Sequence, residues 1–78
     1  MFIPGIYKIT AHTCIYGEEQ TIRVSCFTEE DRIRYCDEFA DENAMEWWDP
    51  DYHGEIMTED EYWANCYCTF KLEEAFKS

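Results

Sequence analysis

The sequence predicts an α+β domain: a three-stranded antiparallel sheet, made of a hairpin plus a C-terminal strand, packed against one long acidic amphipathic helix, with a short second helix. Three observations predict it. Residues 5–16, 21–27 and 66–72 alternate apolar and polar with the period of a strand. Residues 29–47 switch to the period of a helix. Thr28 and Thr58 each precede an acidic run in the manner of an N-cap. The 78 residues make a single domain, 1–78, near the size where one core only just sustains a fold.

The first strand, GIYKITAHTCIY, puts Tyr7, Ile9, Ala11, Thr13 and Ile15 on one face. Gly17-Glu18-Glu19 reads as a polar turn in which glycine supplies a positive φ. The next strand turns Ile22, Val24 and Cys26 inward, which completes a hairpin. From Glu29 to Trp47 the inner side of the helix carries Ile33, Cys36, Ala40, Asn43, Ala44 and Trp47, with Phe39 at its flank. Two neighbouring tryptophans cannot both point inward from one helix, so Trp47 is expected in the core and Trp48 partly exposed. Asp49-Pro50 stops the helix. An irregular loop over 48–57 follows, then a helix near 59–65, then a strand over 66–72 with Cys66, Cys68, Phe70 and Leu72 on one face. Residues 73–78 read as a short tail.

The charge is not evenly spread. Residues 29–61 hold 14 of the 18 acidic side chains against Arg32 and Arg34, so this block carries the entire net charge of −12 while both flanks are neutral. Such a charge disfavours DNA, RNA and anionic membranes as direct ligands and favours a basic protein surface. Like charges three and four residues apart cost an isolated helix roughly 0.2–0.5 kcal/mol a pair. The helix accepts that cost at Glu38, Asp41 and Glu42, which points to an acidic ridge wanted by a partner. Composition that is 46% hydrophobic and 18% aromatic excludes a disordered acidic tail.

Chemistry-bearing constellations are sparse. The five cysteines, Cys14, Cys26, Cys36, Cys66 and Cys68, are odd in number and read as reduced, buried side chains. With His12 and His53 they lack the spacing of a zinc site, so no metal and no cofactor is expected. No nucleophile carries a local catalytic signature, so the chain is not expected to be an enzyme. Met1-Phe2-Ile3-Pro4 has neither a basic nor an apolar leader region, which leads to the expectation of a cytoplasmic protein in a bacterial host cell. Residues 4–17, with Gly5-Ile6-Tyr7 and Ile15-Tyr16-Gly17, resemble the N-terminal signature of GIY-YIG endonucleases. That resemblance implies a basic helix and a metal-binding glutamate, whereas here the helix is the acidic block, which DNA would repel.

Trp47, Trp48, Tyr52, Tyr62 and Trp63 interleave with acids, a composition that suits an interface of aromatic anchors and carboxylates. Carboxylates about 5–6 Å apart on a helix can stand in for the phosphates of a nucleic-acid strand. A short, strongly acidic α+β chain with the run Trp47 to Asp60-Glu61-Tyr62-Trp63-Ala64-Asn65 resembles the small acidic phage-encoded anti-CRISPR and DNA-mimic inhibitors. The resemblance implies an anti-defence inhibitor that blocks the basic groove of a CRISPR effector or restriction enzyme. It would set Asp37, Glu38, Asp41, Glu42, Asp49, Asp51, Glu59, Asp60 and Glu61 against the target's arginines and lysines; with Glu30, Asp31, Glu46, Trp48, Tyr52 and Glu55 these are the candidate partner-binding residues. The rival readings are a plain acidic interaction module, a small zinc or cysteine regulatory protein, and a homodimer with its seam around Trp48 and Tyr52.

Overall fold

Alternation in the sequence becomes a sheet with one covered face. The computed structural model describes residues 1–77. Strand β1 (Gly5–His12) buries every second residue, and Tyr7, Ile9 and Ala11 form the middle of the core. Strand β2 (Glu19–Cys26) pairs antiparallel with one edge of β1, placing Ile22 opposite Ile9 and Val24 opposite Tyr7. Strand β3 (Tyr67–Ala75) pairs antiparallel with the other edge, placing Cys68 opposite Ala11 and Phe70 opposite Ile9. The order is β2-β1-β3, so β1 is central. Residues directly opposite in such pairs project to the same face. Val24, Cys26, Cys68 and Leu72 therefore join Tyr7, Ile9 and Ala11 on the covered side.

Both ends of the sheet differ from expectation for local reasons. β1 stops at His12 rather than Tyr16 because Thr13 turns the chain: its hydroxyl accepts the Ile15 N–H at 3.1 Å, and Gly17 takes φ +91° in the turn. The expected tail is instead strand as far as Ala75. A bulge inserts Glu73 between the Tyr7–Leu72 and Ile6–Glu74 pairs. Gly5 is required beside it, because a Cβ there would run into the Glu74 carbonyl oxygen. Phe76 N–H then bonds the Pro4 carbonyl at 2.9 Å. Ser78, the last residue of the expected tail, lies outside the described residues.

Helix α1 (Glu29–Trp47) has the predicted bounds, set by Thr28 and Asp31 as a reciprocal capping box. It packs across all three strands and buries Cys36, Phe39, Asn43 and Ala44. Ile33 and Trp47, both expected inside, are 44% and 39% exposed. The cause is width: the outer strands of a three-stranded sheet lie only about 10 Å apart, too narrow to cover the whole apolar arc of a helix. Trp48 leaves the helix in an extended conformation and is half-buried, partly exposed as expected, so of the two tryptophans Trp47 is the more exposed. Beyond a 3-10 turn over His53–Glu55, helix α2 (Glu59–Ala64) starts on a second capping box, Thr58 with Glu61. Among the described residues no helix covers the other face of the sheet, which bears Lys8, Thr10, His12, Arg23 and Lys71. Among the described residues no helix is long and apolar enough to cross a membrane.

Candidate functional site

Thirteen of the fifteen predicted partner-binding residues are exposed: Glu30, Asp37, Glu38, Asp41, Glu42 and Glu46 on α1, Asp49, Asp51, Tyr52 and Glu55 in the connection, and Glu59, Asp60 and Glu61 on α2. Asp31 and Trp48 are half-buried. Asp31 is engaged within the chain, its carboxylate accepting the Phe27 and Thr28 N–H groups at 3.0 and 3.1 Å. Those backbone bonds outweigh the opposing effect of burial and, with Arg34 nearby, hold its carboxyl below the usual range. Glu46 accepts from the Gln20 amide at 2.6 Å, and Glu61 accepts from Thr58. The seam expected around Trp48 and Tyr52 leaves only Tyr52 well exposed, at 55%.

The two arginines of the acidic block do not neutralise the ridge. Arg34 approaches Asp31 at 3.6 Å, and Arg32 lies 3.8 Å over the Phe70 ring. From Asp37 to Glu46, five carboxylates follow with no cation between them. Four of the five, Asp37, Glu38, Asp41 and Glu42, have no hydrogen-bond or ion-pair partner among the described residues. This stretch therefore presents a row of acidic side chains with little compensation from within the chain.

A second acidic arrangement lies inside and was not anticipated. Glu18, read from sequence as a polar turn residue, is buried. One carboxylate oxygen accepts the Thr13 and Tyr62 hydroxyls, both at 2.8 Å, and the other accepts His53 Nε2 at 2.8 Å. His53 Nδ1 accepts the Asp49 N–H at 2.9 Å, so the ring's proton sits on Nε2 and the imidazole is neutral. Burial by itself would raise the Glu18 pKa. The bonds from His53, Tyr62 and Thr13 overcome that and hold it below the usual carboxylate range. Tyr62 is pushed far up, first by burial and then by donating to the carboxylate. Trp48 and Tyr52 close the cluster, with ring centres 5.5 and 4.9 Å from His53. With Tyr62 at 0% and His53 at 2% exposure, the cluster clasps the β1–β2 turn to the α1–α2 connection and to α2. Partners 35 and 44 residues apart leave no local signal in the sequence.

The cysteines also divide. Cys26 and Cys36 are buried and Cys66 and Cys68 half-buried, but Cys14 is exposed, against expectation. Burial pushes the Cys66 thiol up to about 11 and the Cys68 thiol to about 12, so both stay protonated at neutral pH. Among the described residues no three His, Cys, Asp or Glu side chains are grouped to hold a metal ion. Of the tyrosines in the GIY-YIG-like segment, Tyr7 is buried with its hydroxyl on the Ile3 carbonyl at 2.6 Å, while Tyr16 is fully exposed. Compared with known proteins, the chain matches no family model, no curated protein and no solved structure.

Proposed function

We propose that this chain inhibits a nucleic-acid-binding protein by laying the acidic side of α1, α2 and their connection into that protein's basic groove. A phage or mobile-element protein directed against a CRISPR effector or restriction enzyme is the most specific form of this reading. The observation that carries it is the uncompensated stretch of α1. Asp37, Glu38, Asp41, Glu42 and Glu46 fall within ten residues, about 15 Å of helix. That is about one carboxylate per 3 Å, close to the one phosphate per about 3.4 Å of a DNA strand. A groove built to hold phosphates attracts such a surface at long range and pairs its arginines and lysines with the carboxylates at contact. No chemistry is needed; occupancy alone excludes the nucleic acid.

The test is competition. A purified RNA-guided nuclease or restriction enzyme is loaded with labelled duplex DNA, and the wild-type chain is titrated at low and at high salt. Displacement that weakens with salt is expected. Combined Glu38→Lys, Asp41→Lys and Glu42→Lys should weaken it by about 10- to 100-fold, since each exposed pair contributes about 0.2–1 kcal/mol and reversal adds repulsion. A triple variant that competes as well as wild type sinks the proposal. Binding without displacement of DNA would leave a plain interaction module.

A further inference from the structure

A sheet edge that stays free carries lysine, proline or a bulge against pairing with another chain. β3 follows that rule, with Lys71 and the bulge at Glu73. The opposite edge, β2, does not. Its eight residues contain neither lysine nor proline and pair with β1 in unbroken register. Among the described residues no strand lies beyond β2, and of the helices and strands only β1 and α1 touch it. On the α1 side Ile22 is 36% exposed, although Ile9 opposite it is 0%, because the helix covers the outer strand only in part. On the uncovered side Glu19, Thr21 and Arg23 stand in a row, all exposed. The only charges of the strand are therefore opposite in sign and symmetric about Thr21. Such a pair repels neither a basic nor an acidic strand outright, and it is complementary to itself when inverted.

We propose that β2 pairs antiparallel with β2 of a second copy of this chain, about a two-fold axis at Thr21, joining the two three-stranded sheets into one. Such a contact is isologous, so each interaction is made twice. Outward-facing backbone groups alternate along a strand and must meet their like, which centres the axis on a residue. Centred on Thr21, the register sets Glu19 of each copy opposite Arg23 of the other and Gln20 opposite Ile22. No other such register within the strand sets unlike charges opposite, and one centred on Arg23 would oppose two arginines. Both side chains have capacity left. Glu19 gives one oxygen to His12 at 3.1 Å and Arg23 gives Nε to Glu73 at 3.0 Å, so an oxygen and both terminal nitrogens remain. On the α1 side Ile22 and its counterpart become diagonal neighbours across the seam. Both α1 helices then lie antiparallel on one face, two rows of carboxylates in place of the two phosphate rows of a duplex. This last consequence rests on the acidic-inhibitor reading; the pairing does not.

The test is sedimentation velocity of the chain alone, from about 10 μM to about 1 mM, the range suited to a small interface. Salt screens the two chains of charge −12 from each other, and a reductant keeps the exposed Cys14 from crosslinking them. A dimer that grows with concentration is expected, with amide hydrogen exchange slowed in β2 and not in β3. Glu19→Arg and Arg23→Glu, made singly, each set like charges opposite at two points and should weaken the dimer at least about 10-fold. Made together they restore unlike charges at both points and should recover it, which also shows that the single variants fail at the seam and not in folding. A monomer throughout the range overturns the proposal. So do protection confined to β3, single reversals without effect, and a double variant no better than the single ones. No target protein or nucleic acid enters this measurement, so it fails or stands separately from DNA competition.

Discussion

Glu18 and the trio Glu38, Asp41 and Glu42 are the same chemistry put to opposite uses. Glu18 lies buried between the β1–β2 turn and α2 and receives three donated hydrogen bonds. The trio stands on the outer side of α1 with no partner among the described residues. The first is satisfied and holds the fold together; the others repel one another and burden it. A carboxylate within a complete set of donors is a structural part, whereas one left unpaired in a like-charged row is available to something outside.

That contrast can be broken most sharply at its buried end. Glu18→Ala leaves the donors of His53, Tyr62 and Thr13 unpaired in the interior. A loss of about 3–5 kcal/mol is expected, since each buried donor left unpaired costs about 1–3 kcal/mol, and that is most of the stability that a domain of this size possesses. Urea unfolding followed by tryptophan fluorescence checks it. Tyr62→Phe, which removes one donor and keeps the ring, should cost only about 1–2 kcal/mol. Equal losses for the two would mean that packing, not the carboxylate, holds the clasp.

Acid titration sharpens the same point. Because the folded-state pKa of Glu18 lies below its ordinary value of 4.5, its contribution is complete above that pH and disappears as pH falls through the folded value. The stability difference between wild type and Glu18→Gln isolates the buried group. It should be constant above about pH 5 and shrink as pH falls below that ordinary value of 4.5. A difference that grows on acidification would contradict the assignment.

Asn43 gives a buried polar group with the reverse accounting. It is 0% exposed, and neither amide atom has a hydrogen-bond partner among the described residues. Asn43→Leu, which keeps the branched skeleton, should raise stability by about 1–2 kcal/mol by removing two unpaired groups from the core. Thermal unfolding of the variant reads this directly. Smallest of all is the effect of the trio on folding. Glu38→Lys, Asp41→Lys and Glu42→Lys together should move stability by no more than about 0.5 kcal/mol, and toward greater stability, while DNA competition collapses. A large loss of stability would show that the ridge belongs to the fold and not to a partner.

The sequence by itself determined whatever depends on near neighbours. Alternation marked the three strands, the change of period marked α1 to the residue, and Thr28 and Thr58 marked both helix starts, because capping and periodicity act over a few residues. The location of the net charge was legible for the same reason, as was the exposure of most of its carboxylates. Only the tertiary structure decided which strand is central, where β3 bulges against Gly5, and which tryptophan is the more exposed. It alone turned Glu18, in appearance one more acid of a polar turn, into the centre of a clasp with His53 and Tyr62. Desolvation and hydrogen bonding decide the role of a carboxylate, and both are set by residues that meet only when the chain has folded.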